Sequence, residues 1–420
     1  MIKLLTVLVF LTCYVLLIQR KGKPPFVVWT GAAVLMLLRV ITPEQALRSI
    51  NVNVIGIFLG TMVLSEFFIH SQVPAYLSAL LVSRSKSVAA ALLAVCILAG
   101  VVSAVVDNVA TVLMIAPIAL AVSKRLKVSP VPFIIGIAVS ANLQGAATLV
   151  GDSTSILLGS AAKMSFADFF WMHGRPGIFF AVQLGSVFAW LVLGRIFARI
   201  KGVVVPVEPV AVTSWVPTIL MVMTMVTMAL SSFIPGRPDY TIGLIALGYA
   251  LVALFWNAFT RYKELNMRED IDWQTVFLLC GLFVLIGSLT AVGIIHDIAD
   301  VISSATRGNS FLAYNILVWM SVIISAFVDN IPYTMAMLPV AQIVAANLGV
   351  SPYVMMFGMM IGTTLGGNIT PIGASANVVG VSILRREGHS VSFGEFCRIG
   401  MPFTLAAVLS SSLFIWLLWR

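Results

Sequence analysis

Ser103-Ala104-Val105-Val106-Asp107-Asn108 returns as Ser325-Ala326-Phe327-Val328-Asp329-Asn330, 222 residues later, each time at the centre of a long apolar run. The register holds beyond this hexapeptide. At the same offset Pro117 meets Pro339, Val128-Ser129-Pro130 meets Val350-Ser351-Pro352, Gly145 meets Gly367, Thr148 meets Thr370, Gly151 meets Gly373 and Ser153 meets Ser375. With a small gap, Ser165-Phe166-Ala167-Asp168-Phe169 meets Ser392-Phe393-Gly394-Glu395-Phe396. Apolar similarity alone would not keep polar positions in step. The chain therefore reads as an internal duplication, with one repeat over 1–205 and the other over 206–420.

The runs are of membrane type. Hydrophobic residues make up 60% of the chain and charged residues 10%, against about 25% charged in an ordinary soluble domain. Apolar segments fall near 4–19, 26–41, 52–70, 88–123, 131–161, 176–200, 213–234, 240–259, 273–295, 310–347, 352–384 and 399–419. About 20 apolar residues cross a bilayer as a helix, so 88–123 and 310–347 are too long for one crossing. Each is cut at its centre by Asp-Asn and is expected to form a re-entrant hairpin with its tip at mid-membrane. Runs 131–161 and 352–384, broken by Gly-rich polar stretches, are expected as discontinuous helices. The expected architecture is an all-α polytopic membrane protein with about ten transmembrane helices, two re-entrant hairpins and two discontinuous helices. Five crossings per repeat, an odd number, insert the second repeat upside down.

The basic residues sort consistently with this layout. Seventeen Lys and Arg, among them Arg20, Lys21, Lys127 and Lys201, fall on one face and eight on the other. The richer face is expected to be cytoplasmic, which leaves both termini extracytoplasmic in a bacterial-type inner (plasma) membrane. The net charge of +9 thus reads as an orientation signal in contact with the lipid bilayer, and nucleic acid is not an expected partner. Leu4–Ile18, followed by Arg20-Lys21-Gly22-Lys23 with no small-residue cleavage site, reads as a first span rather than a signal peptide. Cys13, Cys96, Cys280 and Cys397 are dispersed, and His70, His173, His296 and His389 fall at span ends or in loops. Neither set has ligand spacing, so no metal site and no cofactor are expected. Glu66, near the cytoplasmic end of its span, reads as interfacial.

Each repeat supplies two interruptions. The first offers Asp107-Asn108 with Thr111 at the hairpin tip, then Gly145, Thr148, Gly151, Asp152 and Ser153 in the break. The second offers Asp329-Asn330 with Pro332 and Thr334 at the tip, then Gly366, Gly367, Asn368, Thr370, Pro371, Gly373, Ser375 and Asn377 in the break. Gly permits close backbone approach, and Pro removes a donor where a helix must stop. At such breaks, freed carbonyls and helix N-termini point at a solute, while Asn, Ser and Thr side chains complete its coordination. A carboxylate at mid-membrane costs about 2.5–3.5 kcal/mol on insertion scales. Asp107 and Asp329 cap the half-helices after them, but that cost argues for a further role, alternately binding a proton and something else. Asp152 has no acidic counterpart, its partner being Ala374, and is the asymmetric element.

At these motifs the sequence resembles the ion transporter superfamily, in the branch that holds ArsB arsenite-efflux proteins, NhaD sodium/proton antiporters and the melanosomal P protein. The resemblance rests on the paired Asp-Asn tips, on Gly145–Asp152 and on Gly366-Gly367-Asn368-Ile369-Thr370-Pro371-Ile372-Gly373-Ala374-Ser375-Ala376-Asn377. It implies a citrate-transporter-like membrane domain, a scaffold with a moving transport domain, a homodimer and an elevator-like motion. A separate ATPase subunit would have to supply any ATP dependence, because no G-x-x-x-x-G-K-[ST] stretch occurs here. Dicarboxylate-transporting relatives carry Ser-Asn-Thr at the tips. Here Asp stands in place of that Ser, and its charge opposes an anionic substrate.

These readings converge on a secondary active transporter, not an enzyme, that exports a small inorganic solute against protons. A neutral metalloid hydroxide (arsenite, antimonite or silicic acid) heads the candidates, with a sodium or lithium/proton antiporter as the alternative. The coupling ion is H⁺ in the first case, and Na⁺ enters in the second. An intramembrane aspartyl protease would also need two aspartates, but the inverted repeat and the lack of a Tyr-Asp or Gly-x-Gly-Asp signature oppose it.

Overall fold

The computed structural model describes residues 2–19, 23–126, 128–200 and 210–420. Arg20, Lys21, Gly22, Lys127, Lys201 and the repeat boundary between 205 and 206 lie outside them. In the first repeat α1 (Ile2–Ile18), α2 (Pro24–Leu37), α3 (Pro43–Ser49), α4 (Val52–His70) and α5 (Val73–Arg84) lead to a helical hairpin. The hairpin is α6 (Val88–Ser103) and α7 (Asn108–Leu126), and the first broken helix is α8 (Val131–Gly145) with α9 (Ser153–Ala161). A two-residue antiparallel ribbon, β1 (Trp171–Met172) against β2 (Arg175–Pro176), turns the chain into α10 (Ile178–Phe197). The second repeat runs α11 (Val216–Ser231), α12 (Thr241–Thr260), α13 (Trp273–Ala291) and α14 (Ile294–Ala305). Its hairpin is α15 (Ser310–Ser325) with α16 (Asn330–Asn347), its broken helix α17 (Pro352–Gly366) with α18 (Ser375–Arg386), and α19 (Phe393–Trp419) closes it.

Every apolar run carries a helix, and both double-length runs split at Asp-Asn. The start signals repeat too: Ser87 accepts from Ala90 N (3.2 Å) before α6, and Asn309 accepts from Leu312 N (3.1 Å) before α15. A helix of 16 residues such as α6 is about 24 Å long, short of an about 30 Å hydrocarbon core. The two arms of each hairpin meet at the Asp-Asn tip, Asp107-Asn108 in the first and Asp329-Asn330 in the second.

Two bundles share the work. In one, α6 packs along α8, α15 along α17 and α10 along α19; in the other, α4 packs along α12 and α2 along α13. Small residues let α4 and α12 approach, since a Cβ at Gly60 would stand 2.6 Å from the Ala246 carbonyl oxygen. Three helices went unforeseen in the sequence: α3, α5 and α14, together with the ribbon. Helices α5 and α14 have 12 residues each and start 294 − 73 = 221 residues apart, so they belong to the duplication. They are too short to register as spans. The polar side of α14 is engaged, with Asp297 paired to Lys3 (2.8 Å) and Asp300 accepting from Asn347 (2.8 Å).

Candidate functional site

The breaks and the tips are tied together in the same way in both repeats. Thr148 Oγ1 donates to the Ala104 carbonyl, and Thr370 Oγ1 donates to the Ala326 carbonyl. Each break thus holds the last turn of its own hairpin's first helix. Gly151 and Gly373 cross those turns at contact distance: a Cβ at Gly151 would meet Gly145 O, Ser103 O and Ala104 O, and one at Gly373 would meet Gly367 O, Ala326 O and Ser325 O. Ser155 Oγ donates to Gly145 O (3.0 Å), while its counterpart Asn377 donates through Nδ2 to Gly367 O (2.9 Å) and Thr370 O (3.0 Å). Asp107 Oδ1 accepts from Val109 N (2.9 Å) and Ala110 N (3.2 Å), and Asp329 Oδ1 accepts from Ile331 N (3.1 Å). The expected caps are present. Ser375 Oγ reaches Asp329 Oδ2 at 3.3 Å.

Tips and breaks open into one cavity of about 280 Å³. Of the residues singled out from sequence, Asp107, Asn108, Gly151, Asp152, Ser153, Asp329, Asn330 and Ser375 line it. Thr148, Thr370, Asn368 and Asn377 lie behind it and hold the breaks. The hydroxyls of Thr111 and Thr334 are buried with no hydrogen-bond partner among the described residues. Asp152 accepts from Thr154 Oγ1 (2.8 Å) and is within electrostatic reach of both Asp107 and Asp329.

The other bundle completes the wall with residues that sequence reasoning had not assigned. Glu66 from α4, and Asp270, Asp272 and Thr275 at the start of α13, face the same cavity. Glu66, expected to be interfacial, also lines this cavity from near the end of α4. It pairs with Lys263, which also stands 3.3 Å from Asp270 Oδ2. Among the described residues, the cavity lining carries six carboxylates (Glu66, Asp107, Asp152, Asp270, Asp272 and Asp329) and no Lys, Arg or His. Asn142 of α8 was also missed: it lines the cavity and is hydrogen-bonded to Asn108 (3.0 Å) and Asn368 (3.0 Å). It sits in an apolar run and its repeat counterpart is Thr364, so no pairing flagged it.

A second cavity of about 590 Å³, lined by Gln45, Arg48, Asn51, Ser160 and Thr290 among others, lies at the opposite ends of α4 and α13. No acid lines it.

Residues 14–362, which span both hairpins and the first break, match the citrate transporter (CitMHS) family. The chain belongs to that family. A transporter of Mycobacterium tuberculosis described as uncharacterised is 31% identical over 99% of this chain and 98% of its own length. The P protein of Sus scrofa, a member of the resembled superfamily branch, is 24% identical over 88% of this chain and 53% of that protein. Among solved structures, the YdaH transporter of Alcanivorax borkumensis superposes with a TM-score of 0.60, at 16% identity, over 92% of this chain and 88% of that one. That last likeness is one of fold. Together they make this citrate transporter family member a multi-pass membrane transporter, with the tips and breaks of its two repeats gathered at one central cavity.

Proposed function

We propose that the protein exports a small inorganic cation, Na⁺ or Li⁺, in exchange for protons. The observation that carries this reading is the cavity lining: of its six carboxylates, Glu66 and Asp270 are paired with Lys263, which leaves Asp107, Asp152 and Asp272, next to Asp329, with no Lys, Arg or His beside them in the lining among the described residues. A like charge about 6 Å from one of them costs about 3 kcal/mol at an effective dielectric constant of 20, and several such terms act together. Bare citrate and other anions are disfavoured on that ground, despite the family's description. From sequence, a neutral metalloid hydroxide stood ahead of a cation. We place the cation first here, because a neutral hydroxide needs donors and acceptors in balance while a cation needs acceptors, and carboxylates supply acceptors. Aspartates at the tips serve both ligands of an exchanger, accepting the cation when ionised and a proton when it leaves.

Direction follows from asymmetry. The acidic cavity opens at the end of α4 and α13 that carries the richer Lys and Arg loops, which we assign to the cytoplasm, and the opposite cavity has no acid. Cation capture from the cytoplasm means export. The test uses everted vesicles with an imposed proton gradient and a pH-quenched dye, to which Na⁺, Li⁺, arsenite, antimonite, silicic acid and citrate are added in turn. Dequenching by Na⁺ or Li⁺, lost in Asp107→Asn and Asp329→Asn, is the expected result. Dequenching by a metalloid alone, or by citrate alone, would overturn the cation reading.

A further inference from the structure

Three buried side-chain amides form one line across the two repeats. Asn108 donates through Nδ2 to Asn142 Oδ1 at 3.0 Å. Asn142 donates through Nδ2 to Asn368 Oδ1 (3.0 Å) and to the Thr364 carbonyl (2.7 Å). Asn368 donates through Nδ2 to the Val139 carbonyl (3.1 Å). An amide turned end for end keeps its shape, so only its partners tell its oxygen from its nitrogen. Here the partners decide. A backbone carbonyl can only accept, so Val139 holds the nitrogen of Asn368 on its side and turns the oxygen towards Asn142. Thr364 orients Asn142 independently and to the same effect. The oxygen of Asn142 must therefore face Asn108, which answers with its nitrogen.

We infer that Asn142, backed by Asn368, is a specificity-determining positioning residue that keeps Oδ1 of Asn108 available to the cavity. The hairpin tip then offers an oxygen to a cation and withholds an N–H from an anion. The inference rests on the cation reading above and names how one of its ligands is oriented. Turning Asn108 end for end would set two oxygens against each other across the 3.0 Å now spanned by a hydrogen bond. The oxygen that remains is lightly engaged: it shares the Val109 N–H at 3.2 Å with Asp107, which holds it at 2.9 Å. The nitrogen of Asn142 is spent, donating twice, and its oxygen is held by the Asn108 amide, so we assign it a positioning rather than a ligating role. The device is confined to one tip, since at the other Ser325 Oγ, 2.5 Å from Asn330 Oδ1, takes the place of such a chain.

The experiment titrates NaCl and LiCl into purified protein in detergent, with choline chloride holding ionic strength constant, and reads the unfolding midpoint. KM and kcat for cation-driven proton movement are measured in proteoliposomes. Asn142→Leu releases Asn108 to turn. The half-saturating cation concentration should rise at least tenfold, with KM following it and kcat changing much less. In Asn108→Asp/Asn142→Leu both ends of residue 108 are oxygens, so orientation ceases to matter. Affinity should then recover by more than Asn108→Asp gains when Asn142 is intact, an excess that a merely structural Asn142 would not give. Should Asn142→Leu fail to fold, Asn368→Ala cuts the line one link further back and carries the same expectation. Wild-type affinity in the single variants, or no excess recovery in the double, overturns the inference and leaves the cation reading standing. A wild-type protein that neither cation stabilises overturns both.

Discussion

Replacing Gly151 with alanine should destabilise the protein, and replacing Gly248 should do the opposite. A Cβ on Gly151 would stand 2.7 Å from Gly145 O, 2.8 Å from Ser103 O and 2.9 Å from Ala104 O. Ordinary contact begins at 3.4 Å, so the three oxygens are 0.5–0.7 Å too close. All three are backbone atoms, and Ala104 O also receives the Thr148 hydroxyl, so none can swing aside as a side chain would. Overpacking of this kind costs typically about 1–3 kcal/mol, and the rigid neighbours put Gly151 in the upper half. Gly248 lies inside α12 with nothing within 4 Å of the new methyl, where alanine gains about 0.5–1 kcal/mol over glycine. With an unfolding entropy of about 2.1 cal/mol/K per residue, 420 residues scale to about 0.9 kcal/mol/K. The apparent melting temperature of Gly151→Ala should thus fall by about 2–3 °C while that of Gly248→Ala rises slightly. Intrinsic fluorescence on detergent-purified protein resolves such a difference. If both variants move in the same direction, the break does not cross the hairpin turn at contact distance and the mirrored geometry is mistaken.

Other expectations follow from the same contacts. Thr148→Val and Thr370→Val each remove one hydroxyl-to-carbonyl bond, and each should cost about 1 kcal/mol; the two losses should add in the double variant, as thermal melts would show. Lys263→Met strands Glu66 and Asp270 in a wall where the Lys263 and Glu66 side chains are only 14% and 22% exposed. A loss of about 1–3 kcal/mol is expected, with part of it recovered in Lys263→Met/Glu66→Gln on the same assay. Asp107→Asn and Asp329→Asn should each leave the protein folded but abolish cation-dependent dequenching in everted vesicles. A reporter fused after Arg420 should behave as extracytoplasmic, with alkaline phosphatase active and green fluorescent protein dark.

The sequence disclosed the polar interruptions that the duplication wrote twice. Both hairpins, both breaks, their caps and their closing glycines were legible because each polar interruption had a partner 222 residues away in an apolar background. What stayed hidden had no such partner. Asn142 pairs with Thr364 in the repeat and lies in an apolar run, where one amide reads as tolerated rather than placed. Glu66, Asp270 and Asp272 sit at span ends, which is where charged residues are ordinarily found, and only the packing of α4 and α13 against the tips brings them to the cavity. Helices α5 and α14 were missed for a different reason: at 12 residues each they are too short for an apolar-run criterion.

Symmetry and chemistry divide cleanly between two sets of residues. Positions that match across the repeats, Thr148 with Thr370 and Gly151 with Gly373, hold the chain broken where a solute must enter. Positions that differ, Asp152 against Ala374 and Asn142 against Thr364, place an acid and an amide on the cavity from one repeat alone, and on the proposed reading they would shape what it accepts. An inverted duplication by itself would present equivalent surfaces to both sides of the membrane, and exchange across it would have no built-in polarity. The polarity comes from the departures: four of the six carboxylates on one cavity, Glu66, Asp152, Asp270 and Asp272, have no acidic counterpart in the other repeat, and among the described residues no acid lines the other cavity. On the proposed reading, a cation would meet an electrostatic well from one side only, and a proton arriving from the other side would let it leave. Directional loading would then be a property of the acids that lack an acidic counterpart in the other repeat, Glu66, Asp152, Asp270 and Asp272, laid over a symmetric frame, so changing those acids should alter the side preference without disturbing the fold.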